Sequence, residues 1–215
     1  FMPLKKSALK NPFLKKKSKI VFYACVSAGA AMLYDFIFQC VHIYKLILNG
    51  SFSGVNYTVP LCLTAVVSVL CACYFIIMGI SYKTDKYDFR CFKYYHIIPV
   101  CRYLFAAYAT LTKYENGIYY SDKVLYYAVL IFGMLYFILF LICLDGNNKM
   151  LLPFCFFGFS YSALCFILAV PGIFCFVAGN AAVDTDFSYV SFLLMGIFAA
   201  VFTASSFQTC KPEEG

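Results

Sequence analysis

Apolar positions in this chain fall in six long runs, without the strict alternation of a half-exposed strand or the one-sided stripe of a surface helix. The runs are Ile20 to Val41 with an extension to Leu48, Val59 to Ser81, Tyr95 to Thr112, Val124 to Leu144, Met150 to Ala178, and Phe187 to Phe207. Val124 to Leu144 has 21 residues and no charge. A hydrocarbon layer about 30 Å thick is crossed by roughly 20 residues of helix rising about 1.5 Å each. Only a helix or a closed barrel satisfies the backbone inside lipid, and runs of this length specify helices. The pattern predicts an all-α, polytopic integral membrane bundle of six transmembrane helices. Five is the alternative, because Tyr95 to Thr112 is interrupted by His96, Pro99 and Arg102.

The division follows from the same pattern. Residues 1–19 read as a basic cytoplasmic segment, 20–208 as a single transmembrane domain, and 209–215 as a cytoplasmic tail. Seven of the 17 basic residues stand in the first 19 positions, the arrangement of positive-inside topology. Six spans put 13 basic residues inside and three outside, and five spans put 14 inside and three outside, so charge bias does not choose between them. The net charge of +7 therefore reflects orientation rather than nucleic-acid binding. Lys15, Lys16, Lys17 and Lys19 are expected to attract anionic lipid. Tyrosine pairs at 94–95, 119–120 and 126–127 read as interfacial anchors.

Chemistry-bearing motifs are sparse. The 12 cysteines lie mostly within apolar runs, with no Cys-x-x-Cys pair, and predict buried thiols rather than a disulfide framework, redox motif or zinc site. No cofactor, metal or catalytic residue is assigned. His96 and Cys101 are five apart and point to different sides of a helix, against a cysteine-protease pair. Asn49 and Asn56 match the N-glycosylation acceptor pattern in the first predicted outer loop.

Polar residues inside the runs mark the candidate path. Asp35, Gln39 and His42 share one helical face, which should avoid lipid because an ionised Asp near the bilayer centre costs about 2.5–3.5 kcal/mol on insertion scales. A first span ending near Phe38 would make them interfacial instead. Arg102 reads as a residue that snorkels toward phosphates. Measured from Lys19 and Lys93, it lies roughly 10 Å in depth from Asp35, which disfavours an ion pair between them. Pro171-Gly172 predicts a kink, a break, or a helix end near Val170. Small residues recur every four positions at Ala24 and Ala28, and at Gly196, Ala200 and Ala204, as close-packing faces for this chain, a second copy, or a larger membrane complex.

A displacement of 93 residues aligns Pro60 with Pro153, Cys62 with Cys155, Gly79 with Gly172, and Phe105-Ala106-Ala107 with Phe198-Ala199-Ala200, a candidate three-plus-three inverted repeat. Gly29 aligns with Gly133 at a displacement of 104. Together these features suggest a small transporter or channel subunit for an ion or polar small molecule, with Asp35, Gln39, His42, Arg102, Pro171 and Gly172 nearest the path. The alternatives are an accessory subunit of a membrane complex and an intramembrane enzyme.

Overall fold

A computed structural model of the chain describes residues 18–48, 55–84, 94–114, 121–144, 148–178 and 188–208. These contain six α-helices: α1 (Lys19–Leu48), α2 (Val55–Thr84), α3 (Ile97–Tyr114), α4 (Ser121–Leu144), α5 (Leu151–Val177) and α6 (Tyr189–Gln208). Short 3-10 turns lead into α3 at 94–96 and into α5 at Asn148–Met150. The described residues include no strand, and all but α3 are long and apolar enough to cross a membrane. The fold is the helical membrane bundle expected from the runs. Lys15, Lys16, Lys17, Asn49, Tyr119, Tyr120 and the side chain of Asn56 lie outside the described residues, as do the segments 1–17 and 209–215.

Each helix packs against its neighbours in sequence, and α6 returns to α1, so the six form a closed ring. Side-chain pairings show every adjacent pair to be antiparallel. A Cβ on Gly29 of α1 would meet Ile76 of α2, and one on Gly79 of α2 would meet Cys25 of α1. Tyr74 pairs with His96 and Ser68 with Arg102 across α2 and α3. Ser162 of α5 bonds the Gly196 carbonyl of α6, while Gly172 faces Tyr189. Ser191 and Ser188 at the start of α6 meet Ala31 and Asp35 of α1 in turn. The half α1–α3 therefore runs in the opposite sense to α4–α6. Residues matched by the displacements have different packing roles: Gly79 faces α1 but Gly172 faces α6, and Gly29 faces α2 but Gly133 faces rings from α3 and α5.

The ring is not hollow at the level of Phe75. Rings from alternate helices meet across its middle, Phe75 of α2 lying 6.0 Å from Phe137 of α4 and 5.0 Å from Phe198 of α6 between centroids. Phe140 and Phe202 extend the cluster at 5.3 Å, and Phe154 of α5 stacks on Tyr136 at 4.9 Å. These separations lie in the favourable range for edge-to-face and offset aromatic pairs. Outward positions such as Val66, Leu70, Leu104, Ile131, Phe156 and Ile167 are exposed, as a lipid-facing surface requires.

Three expectations change. α5 continues through Pro171 to Val177 and neither breaks nor ends near Val170. Proline removes one backbone donor, but neighbouring helices stabilise a membrane helix across that loss. α1 likewise runs on to Leu48, so Asp35 and Gln39 lie inside the bundle and not at a helix end. Tyr126 is buried against Phe192 at 5.5 Å and is a packing residue rather than an anchor, whereas Tyr94 and Tyr95 are exposed.

Candidate functional site

α1, α2, α3 and the residue that precedes α6 bring polar groups together toward the end of the bundle away from Lys19. Asp35 and Gln39 are one helical turn apart on α1 and both are 0% exposed. Arg102 of α3 is 2% exposed, and its Nη2 donates to Asp35 Oδ2 at 2.5 Å. Its Nε donates to Ser68 Oγ of α2 at 3.3 Å, and the Ser68 hydroxyl donates in turn to the Thr64 carbonyl at 2.9 Å. Asp35 Oδ2 also accepts from Gln39 Nε2 at 2.9 Å, while Oδ1 accepts from the Ser188 backbone N–H at 3.2 Å. Ser188 Oγ caps the start of α6 by accepting from Val190 N–H at 3.2 Å. The partial positive charge of a helix N-terminus thus adds to Arg102 in stabilising the carboxylate.

The Asp35–Arg102 pair corrects the reading of Arg102 as a snorkelling residue. Depths counted from Lys19 and Lys93 hold only for level, untilted helices, and a long guanidinium side chain reaches well beyond its own Cα. In the fold, α3 is registered by two polar pairs across its seam with α2, Tyr74 OH with His96 Nδ1 at 2.6 Å and Ser68 with Arg102. The partners are six residues apart in each segment, about 9 Å along the seam, with His96 in the 3-10 turn that leads into α3. Arg102 is thereby held at the height of Asp35.

Electrostatically the cluster is neutral but demanding. Taking two charges out of water costs several kcal/mol each, and mutual attraction offsets this only with good geometry and further hydrogen bonds, which Gln39, Ser68 and Ser188 supply. Among the described residues of the cluster, one acceptor receives no donor. Gln39 Oε1 is buried and accepts no hydrogen bond from the described residues, a deficit worth about 1–3 kcal/mol. The amide cannot turn over to relieve it, because an ionised carboxylate only accepts and so fixes the nitrogen toward Asp35.

Of the other candidate path residues, His42 is half-buried one turn beyond Gln39. Pro171 is exposed, and Gly172 allows close approach of the Tyr189 ring, one residue after Ser188. The structure therefore unites Asp35, Gln39 and Arg102, with Gly172 one neighbour away. Ala24, Ala28 and Gly196 are buried within the chain, Gly196 against Cys165 of α5, while Ala200 and Ala204 are half-buried. Sequence reasoning missed Ser68 and Ser188. The available signal was Thr64 and Ser68, spaced four apart as a small hydroxyl stripe on α2. Among the described residues, no group of three His, Cys, Asp or Glu side chains is placed to hold a metal ion.

No family model matches the chain, and no curated protein or solved structure matches it.

Proposed function

We propose that this chain is a small membrane transporter or channel subunit for an ion or polar small molecule, and that its path passes the Asp35–Arg102 pair. The observation that carries the proposal is this buried pair, which ties α1 to α3 and is completed by Ser68 and the Ser188 backbone. Well-packed apolar residues hold a bundle as firmly as a buried ion pair does, often more so. Ionisable residues inside membrane segments typically line substrate or ion routes.

By the positive-inside rule the seven basic residues up to Lys19 favour a cytoplasmic start for α1, which would set the pair toward the outer face, and Lys15, Lys16, Lys17 and Lys19 are expected to attract anionic lipid. The accessory-subunit alternative has less support. The small residues offered as docking faces are largely used inside the chain, Ala24 and Ala28 being buried and Gly196 packed on α5.

Purified protein in liposomes, assayed against a panel of ions and polar metabolites, is expected to give flux above protein-free vesicles. Asp35→Asn, checked for retained helicity, is expected to lower that flux about tenfold or more, the equivalent of about 1.4 kcal/mol. Absence of flux across the panel, or unchanged flux in Asp35→Asn, would remove the proposal.

A further inference from the structure

α3 is shorter than the bilayer its neighbours span, and the shortfall is concentrated at one end. Its exposed apolar positions, from Ile97 to Leu111, cover about 21 Å of a hydrocarbon layer about 30 Å thick. Ser68 with Arg102 and Tyr74 with His96 fix α3 against α2. In that register the end of α3 at Tyr114 is level with the first turn of α2, which starts at Val55. Toward the Lys19 end the two surfaces part. Ile97 stands level with Cys73, whereas exposed Ile76, Ile77 and Ile80 carry the surface of α2 about 10 Å farther. On the other side His96 packs against Phe140 at 5.1 Å, and α4 continues four residues, about 6 Å, to Leu144. A notch in the apolar surface therefore lies at the start of α3, between α2 and α4.

The floor of the notch is amphipathic. Tyr94 and Tyr95, in the 3-10 turn that leads into α3, are 85% and 56% exposed, while His96 beside them is buried. Exposed tyrosines at a helix end place their hydroxyls at headgroup level. In a flat bilayer set by the length of α2 these hydroxyls would face hydrocarbon, which makes no hydrogen bond to them. Local thinning costs less, because a bilayer yields readily to a short apolar surface. We infer that phospholipid headgroups of the leaflet at the Lys19 end seat on Tyr94 and Tyr95, thinning the hydrocarbon layer beside α3. The inference concerns the lipid face alone and does not rest on the transport reading.

The chain has no tryptophan, so one introduced indole reports its own surroundings. Tyr94→Trp is compared with Val26→Trp, at an exposed position of α1 of the same height. Tyr94 lies two residues, about 4 Å, before His96 and so level with Ile77. Val26 lies between Cys25, which meets Gly79, and Gly29, which meets Ile76. Both full-length variants are reconstituted in phosphatidylcholine vesicles and checked for retained helicity. Lipid carrying a nitroxide on its headgroup is expected to quench Tyr94→Trp at least about twofold more than Val26→Trp, and lipid brominated deep in its acyl chains to show the reverse order. Equal quenching profiles would mean a flat bilayer and overturn the inference. So would quenching of Tyr94→Trp by aqueous iodide but not by the headgroup nitroxide, which marks a watery crevice, or by neither, which marks cover by another part of the chain. Should Val26→Trp fail to fold, Tyr94→Trp alone decides. A flat bilayer places it about 10 Å inside the level of Lys19, where acyl-chain bromine quenches more than the headgroup nitroxide.

Discussion

Two levels of the same six-helix ring are held by different physics. Around Phe75, Phe137, Phe198 and Phe202, rings from α2, α4 and α6 fill the centre and cohesion comes from shape and dispersion. Farther from Lys19, Asp35, Gln39, Arg102 and Ser68 hold α1, α2 and α3 together through charge and hydrogen bonds. In lipid the first kind gains little from a hydrophobic driving force, since acyl chains are as apolar as the side chains. The aromatic level should therefore be sensitive to volume and indifferent to charge distant from it. The polar level should behave in the opposite way.

The largest effect expected of this contrast comes from Arg102→Leu. It leaves Asp35 buried with Gln39 Nε2 and one backbone N–H, and should destabilise the bundle by about 3–5 kcal/mol. Reversible unfolding in mixed micelles titrated with SDS measures this directly. The double variant Asp35→Leu/Arg102→Leu removes both charges and should recover most of the loss. A double variant no more stable than the single one would show that the pair acts by filling space, and the distinction between the two levels would fail.

The helices were legible in the sequence because bilayer thickness imposes one length scale on every span. The expected Val124 to Leu144 coincides with the end of α4 at Leu144, and the extension of the first run to Leu48 is the observed end of α1. The shared face of Asp35 and Gln39 was legible for a similar reason, since helical periodicity alone sets it. The Asp35–Arg102 contact was not legible. It depends on the vertical register of α1 against α3, and that register is set by pairs such as Tyr74 with His96, whose residues belong to different helices and share no local pattern. The continuation of α5 past Pro171 was not legible for a complementary reason: the backbone penalty is local, but the packing of α5 on α6, seen where Gly172 meets Tyr189, is not.

A smaller effect sharpens the volume side of the comparison. A methyl group on Gly158 would overlap the Thr203 hydroxyl and come within 2.8 Å of the Tyr136 ring; both residues are buried, and Tyr136 is stacked on Phe154 and Tyr161. Gly158→Ala should therefore destabilise by about 1–3 kcal/mol despite the better helix propensity of alanine. Gly29→Ala, on the seam of α1 and α2, meets the flexible Ile76 side chain at 3.1 Å and the Ala72 carbonyl at 3.3 Å. It should lie within about 0.5 kcal/mol of the parent, with steric and propensity terms opposed. The same titration checks both, and equal losses would mean that the aromatic level is no tighter than an ordinary helix seam.

The smallest effect makes one chemical deletion at two sites. Ser162 Oγ donates at 2.8 Å to the Gly196 carbonyl, which remains available to the α6 backbone when the hydroxyl is gone. Ser162→Ala should cost about 0.6 kcal/mol, the usual scale of a neutral hydrogen bond between membrane helices. Ser68 accepts from the charged Arg102, though at a longer 3.3 Å, and hydrogen bonds to charged groups are stronger. Ser68→Ala should cost about 1.5 kcal/mol. Because the deleted atom is the same, the excess loss at Ser68 reports Arg102 at the second site, and it should disappear or reverse when both are measured in the Asp35→Leu/Arg102→Leu background, which removes the donor to Ser68. A difference that persisted there would assign the extra loss at Ser68 to local packing instead of to the guanidinium.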